Sequence, residues 1–243
     1  MSNLICRAIT VAVLGVVATS TQAAISISVI DSGDLDPSTT YDLTALGQTD
    51  WALFESASLP LTPTQRKAGG SGIGALTLSS GTVGSAATSY SPFFSWTDGD
   101  ASGLTSATGY DPNHLTSDSS DTLETFSLVL DADTKLRHAY LFVGLGRSQG
   151  QLTATLSDDA GSPVSATPYT AGTTGFGHIT YLIKYTASSG SQTITLDWEM
   201  TNAYTSPALL RLQGAALSII PEPTTAAMFT LIAGAVGLRR RRV

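Results

Sequence analysis

Apolar residues recur with a period of two through most of the middle of the chain. Phe126, Leu128 and Leu130 fall on one face of an extended segment, and Leu152, Ala154 and Leu156 on one face of another. Ile179, Tyr181, Ile183 and Tyr185 make a third row, and Ile194, Leu196 and Trp198 a fourth. Successive side chains of a strand point to opposite faces, so each row predicts a strand with one buried face. Residues 139–145 are apolar more continuously, as a central strand covered on both faces would be. Near the end, Leu210 and Leu212 keep one phase, and Ala215, Leu217 and Ile219 keep the other. The change falls at Gly214 and predicts a β-bulge. Further strand-like runs lie near residues 24–30, 50–54 and 73–78. Outside the two ends, no stretch shows the stripe of an amphipathic helix.

Nine or so short strands with Gly, Ser and Asp turns predict an all-β body. The expected architecture is a single antiparallel jelly-roll-type β-sandwich over residues 24–220. Residues 80–122 read as loop-rich, with Gly, Ser, Asp and Thr clusters and few periodic apolar positions.

Composition narrows the classes. The chain has 243 residues, long enough to bury a real core, and only 13% of them are charged. Ser and Thr make up roughly a quarter, above ordinary usage. The single Cys excludes a disulfide scaffold and a Cys-based zinc site.

Both ends read as addresses. Arg7 precedes an uncharged apolar stretch over residues 8–18, too short to span a bilayer. Thr21-Gln22-Ala23 places small residues where signal peptidase inspects them, so residues 1–23 read as a signal peptide cut after Ala23. Cys6 leaves with it. At the other end, Pro221-Glu222-Pro223 precedes an apolar, uncharged run over residues 224–238, then Arg239, Arg240, Arg241, Arg242 and Val243. An arginine at the centre of a membrane helix costs about 2.5–3.5 kcal/mol, so the four hold one end in place like a stop-transfer signal. The apolar run is short for a span, where about 20 residues are usual.

This tail resembles the PEP-CTERM sorting signal of exported bacterial proteins, with every part present in order over residues 221–243. The resemblance implies that an integral-membrane exosortase recognises Pro221-Glu222-Pro223 and removes the tail. It also implies transient membrane insertion through the C-terminal helix and delivery to the cell surface or an exopolysaccharide matrix.

Without the ends, residues 24–220 keep 7 of the 12 Lys+Arg and 18 of the 19 Asp+Glu, a net charge of 7 − 18 = −11. Nucleic acid is excluded as a partner, since it needs a basic footprint.

Within the body, Asp50-Trp51-Ala52, Lys67-Ala68-Gly69-Gly70, Ser95-Trp96-Thr97-Asp98-Gly99, Asp131-Ala132-Asp133-Thr134 and Leu212-Gln213-Gly214-Ala215 follow one another. In this series the body resembles a galactose-binding-like accessory β-sandwich of secreted bacterial proteins. These are turn and core positions, so the resemblance implies a fold and no ligand.

Candidate chemistry is sparse. Gly146-Arg147-Ser148-Gln149-Gly150 matches the nucleophile-elbow spacing, but an alternating strand follows where a helix is required, so a hairpin turn is expected. Gly70-Ser71-Gly72-Ile73-Gly74 lacks the βαβ setting of a dinucleotide site. His114, His138 and His178 share no metal-ligand spacing and read as surface or edge residues. Asp197 and Glu199 share a strand face opposite Trp198, a charged outer face. Asp111, Asn113, Asp118 and Asp121 crowd one loop as oxygen ligands for a candidate Ca²⁺ site, the one cofactor considered. Trp96, Tyr110 and Asp98 form a candidate glycan site, with rings to stack on a sugar and a carboxylate to bond its hydroxyls; Trp51 reads as a core anchor.

The expected function is a non-enzymatic surface or matrix protein, structural, adhesive or weakly glycan-binding in exopolysaccharide. Signal peptidase and exosortase are its partners during export. The alternative is a secreted lyase or hydrolase on the same fold.

Overall fold

The computed structural model describes residues 23–34, 39–58, 60–79, 82–86, 92–112, 114–119, 124–159 and 163–221. Residues 1–22 of the signal, and the sorting segment from Glu222 onward, including Pro223 and Arg239 to Arg242, lie outside the described residues. So do Asn113 and Asp121.

The elements in chain order are β1 (Ala24–Asp34), β2 (Thr40–Asp42), α1 (Leu43–Leu46), β3 (Asp50–Leu53), β4 (Gln65–Arg66), β5 (Ile73–Leu78), β6 (Thr82–Ala86), β7 (Phe93–Trp96) and β8 (Ala107–Tyr110). They continue as β9 (His114–Ser119), β10 (Thr125–Ala132), β11 (Arg137–Gly146), β12 (Ser148–Leu156), β13 (Val164–Ser165), β14 (Tyr169–Thr170), β15 (Phe176–Thr186), β16 (Gln192–Ala203) and β17 (Ala208–Ile219). The fold is all-β. The four residues of α1 are the one helical segment among the described residues, capped by the Asp42 carboxylate, which accepts from the Ala45 N–H.

A large sheet runs β1-β15-β11-β17-β3-β4, with β9 also on β17 and β6 on β9. A second sheet runs β13-β12-β16-β10-β5, with β14 on β12. A small third sheet is β2-β7-β8. Every pairing is antiparallel except β2 with β7.

The predicted rows supply the core. Phe126, Leu128, Leu130, Leu152, Ala154, Ile194, Leu196 and Trp198 of the second sheet meet Leu141, Val143, Ile179, Tyr181 and Ile183 of the large sheet in one buried cluster. Trp198 and Tyr181 touch edge-to-face across it at 5.9 Å between centroids. Burying a large apolar side chain contributes about 1.5–3 kcal/mol, so this interface dominates the stability of the body.

The opposite face of the large sheet is covered too. Trp51, Leu53, Phe142 and Ala216 project there and pack with Leu43, Phe94 and Trp96 from α1 and the small sheet. This explains why β3 shows no alternation: all four of its residues are buried. The central position expected for residues 139–145 holds, since β11 lies between β15 and β17. The bulge expected at Gly214 also holds: Phe142 pairs with Gly214 but Val143 with Leu212, which leaves Gln213 over. Gly214 sits so close to β3 that a Cβ there would lie 2.4 Å from the Ala52 carbonyl.

Two expectations are corrected. Residues 80–122 are not loop throughout: the short strands β6, β7, β8 and β9 lie among the connecting segments. β6, β8 and β9 are short and rich in small and polar residues, and β7, though aromatic, has only four residues, so no apolar period is visible. Gly146-Arg147-Ser148 is not a hairpin turn. β11 pairs with β15 and β17 in the large sheet and β12 with β16 in the second, so the turn carries the chain from one sheet to the other. Arg147 adopts φ 54 there, and the Ser148 hydroxyl is buried, donating to the Leu209 carbonyl at 3.0 Å.

Candidate functional site

The polar features that converge lie beside the small sheet and β4. Trp51 and Trp96 stand 5.0 Å apart, and Trp96 meets Tyr110 edge-on at 5.1 Å. An acid closes each end of this aromatic row. Asp98 accepts from the Trp51 indole at 2.9 Å, from the Thr44 hydroxyl at 2.9 Å and from the Lys67 ammonium. Glu55 accepts from the Tyr110 hydroxyl at 2.8 Å and from the Thr64 hydroxyl at 2.8 Å.

These partners set the protonation states. Burial pushes Asp98 up, but Lys67, Trp51 and Thr44 outweigh it and hold the carboxyl below its usual range. Tyr110 is pushed up to about 12, first by burial and then by its bond to Glu55. Asp133, at the far end of β10, is also held low, first by Arg137, which donates to it at 2.9 Å. A depressed carboxylate contributes stability above its unfolded pKa of about 3.9, and that contribution is lost as pH falls through the lower folded value. The urea midpoint is therefore expected to be level from about pH 7 to pH 5 and to fall below about pH 4, less steeply in Asp98→Asn. A midpoint equal at both extremes would remove these carboxylates from the account.

The stretch from Thr64 to Lys67 is a wall with two sides. Gln65 and Lys67 serve the aromatic side, where Gln65 accepts from the Leu104 N–H at 2.8 Å. Thr64 and Arg66 line an open depression of about 470 Å³ together with Thr62, Ser71, Asp100 and Ser102. Behind it, Arg66 donates to Asp50 Oδ2 at 2.9 Å and to the Ile73 carbonyl at 2.8 Å. Asp50 is fully buried; its Oδ2 also accepts from the Ile73 N–H at 2.9 Å. At the rim, the Ser102 N–H donates to the Asp100 carboxylate at 2.8 Å and holds its pKa low.

The structure therefore brings Trp96, Tyr110 and Asp98 into one cluster, as the sequence grouped them. Trp96 is 1% exposed and its indole donates to the Leu104 carbonyl at 2.9 Å, so the ring presents no open face. Tyr110 is half-buried, and the acid groups already hold protein donors. Arg66, Thr64 and Ser102 around the depression escaped the sequence reading. Its one available signal was the pair Arg66-Lys67, adjacent cations in a body with few.

Of the candidate oxygen ligands, Asn113 and Asp121 lie outside the described residues. Asp111 is exposed, with its pKa raised by partial burial of the carboxyl, while Asp118 lies within β9, its backbone opposite Leu209 and Thr82. Among the described residues, no group of three or more His, Cys, Asp or Glu is placed to hold a metal. His178 is not a surface residue: it is buried, with Nε2 3.5 Å from Asp31 Oδ2. Asp197 and Glu199 are half-buried outside the core, and Ser127 donates to Asp197. Among the described residues, no helix is long and apolar enough to cross a membrane.

The fold defines the class: an all-β protein whose two larger, antiparallel sheets face one another across a common core. No protein-family model, curated protein or solved structure matches the chain.

Proposed function

We propose that this is an exported surface or extracellular-matrix protein, processed by an exosortase at Pro221-Glu222-Pro223, whose jelly-roll-type β-sandwich is structural or adhesive rather than enzymatic. The observation that carries the reading is where the first strand begins and the last one ends. β17 ends at Ile219, and the Ile220 N–H makes a bond of 2.9 Å to the Leu136 carbonyl. The sorting motif follows at once. At the other end, β1 begins at Ala24, next to the expected signal cleavage. The first and last strands thus bound the interval between the two expected addresses.

Weak glycan contact belongs to the depression at Arg66. Hydroxyls of Thr62, Ser71 and Ser102 with the Asp100 carboxylate offer donors and acceptors suited to sugar hydroxyls. Nothing in this set prepares a nucleophile or an acid–base pair.

Intact-mass analysis of the exported protein tests the address. A mass lacking residues 1–23 and ending near Pro221 is expected in cells with active exosortase. Arg239 to Val243 still attached would overturn the sorting reading. Retention on the host's own exopolysaccharide tests the glycan contact. It is expected to weaken when Ser71→Ala and Ser102→Ala are combined, and unchanged retention would take the depression out of the reading.

A further inference from the structure

We infer that the free edge of β1 over residues 24–30 is a self-association surface, which pairs antiparallel with the same strand of a second copy. β1 opens the strand order of the large sheet and pairs along one side with β15. No strand hydrogen-bonds its other side among the described residues, although β13 of the second sheet packs close to β1.

Native edges are usually blunted by charge, proline, bulges or shortness. β1 is 11 residues long, and its first seven, Ala24-Ile25-Ser26-Ile27-Ser28-Val29-Ile30, hold no charge and no proline. The bulge comes only between Val29 and Asp31, and the acids Asp31 and Asp34 lie beyond it. Val29 and Ile30 are 49% and 44% exposed, two of the four exposed large hydrophobics among the described residues.

The occupant follows from the order of these residues. The run reads almost the same in both directions: two apolar residues, Ser, Ile, Ser, two apolar residues. A two-fold axis at Ile27 sets Ser26 against Ser28 of the second copy, Ile25 against Val29 and Ala24 against Ile30. Ile25 and Ile27, only partly buried at the margin of the core, then continue the apolar row into the second copy. Each exposed hydrophobic of the edge gains an apolar neighbour, and the edge amides gain carbonyls. None of the body's acidic or basic side chains lies in this strip to oppose the pairing of two copies. An isologous pair of this kind closes on itself and makes a dimer rather than a fibre.

The pairing also fixes direction. Ala24 pairs with Thr186, and Arg137 with both Tyr185 and Ile219, so β1 starts at the end of the sheet where β17 finishes. Antiparallel pairing turns the second copy over, and the two C-terminal exits point opposite ways. If the tail is membrane-held, as the proposed function has it, copies in one membrane cannot pair. Released copies, or copies on facing surfaces, can.

Hydrogen exchange of the full chain in mild detergent, followed across a dilution series, tests the pairing. Alternate amides of residues 24–30 are expected to exchange roughly tenfold more slowly at high concentration. Ser26→Lys with Ser28→Lys sets lysine against lysine twice, on the face away from the core, and should abolish that concentration dependence while other strands keep their protection. Exchange of this segment that ignores concentration in the unmodified chain overturns the proposal, as does a double variant that associates unchanged. Because the tail is still present in this experiment, failure of exosortase processing leaves its outcome untouched.

Discussion

Asp50→Ala is expected to lower the stability of the body by about 3 kcal/mol, read as a fall in the urea midpoint by tryptophan fluorescence. The Asp50 side chain is wholly buried, while its partner Arg66 keeps 30% of its side chain exposed. Removing the carboxylate leaves the Ile73 N–H without its acceptor and Arg66 without its ion-pair partner. Asp50→Asn, which keeps an oxygen acceptor, should lose about half as much. Gly70 belongs to the same unit, because a Cβ there would fall 1.9 Å from Asp50 Oδ1. Gly70→Ala must therefore displace Asp50, and the two substitutions together should cost less than their sum. Full additivity would show that Gly70 and Asp50 act separately.

Trp51→Ala is expected to cost about 4 kcal/mol, in the range for emptying a buried tryptophan site. Trp51 is wholly buried between the large sheet and the small one, against Trp96. Its indole N–H also fixes Asp98, which in turn holds Thr44 and Lys67. Trp51→Phe keeps most of the apolar volume and loses the hydrogen bond, so a loss of about 1–2 kcal/mol is expected. Equal losses in the two variants would place the whole effect in the Asp98 bond, and packing would drop out.

The strands that face one core were legible because burial on one side imposes alternation. β10, β12, β15 and β16 each bury the residues that the period picked out. Even the bulge at Gly214 left a trace, since one extra residue shifts the phase of everything after it. The four strands between residues 80 and 122 left none. β7 has four residues and pairs in parallel with β2, some fifty positions earlier, so no local pattern announces it. The sheet crossing at Arg147 was equally silent, because a turn between strands looks the same whether or not the strands pair.

The candidate site divides in the same way. Trp96, Asp98 and Tyr110 sit near one another in the chain, and β7 pairs with β8 to bring them together. Which of them meets solvent was a tertiary matter: Trp96 is enclosed by the small sheet, and Asp98 is spent on Trp51, Thr44 and Lys67. Arg66 joins Asp50 only because β4 pairs back on β3.

By itself, then, the sequence determined the all-β class, the facing rows of the main core and the polar, acidic character of the body, because period, composition and charge are properties of the chain alone. The tertiary structure decided which polar residues are buried and paired, where the chain changes sheets, and that the strip at β1 is an edge. Those depend on which distant segment arrives alongside, and hydrogen bonds between remote strands leave no period in the sequence.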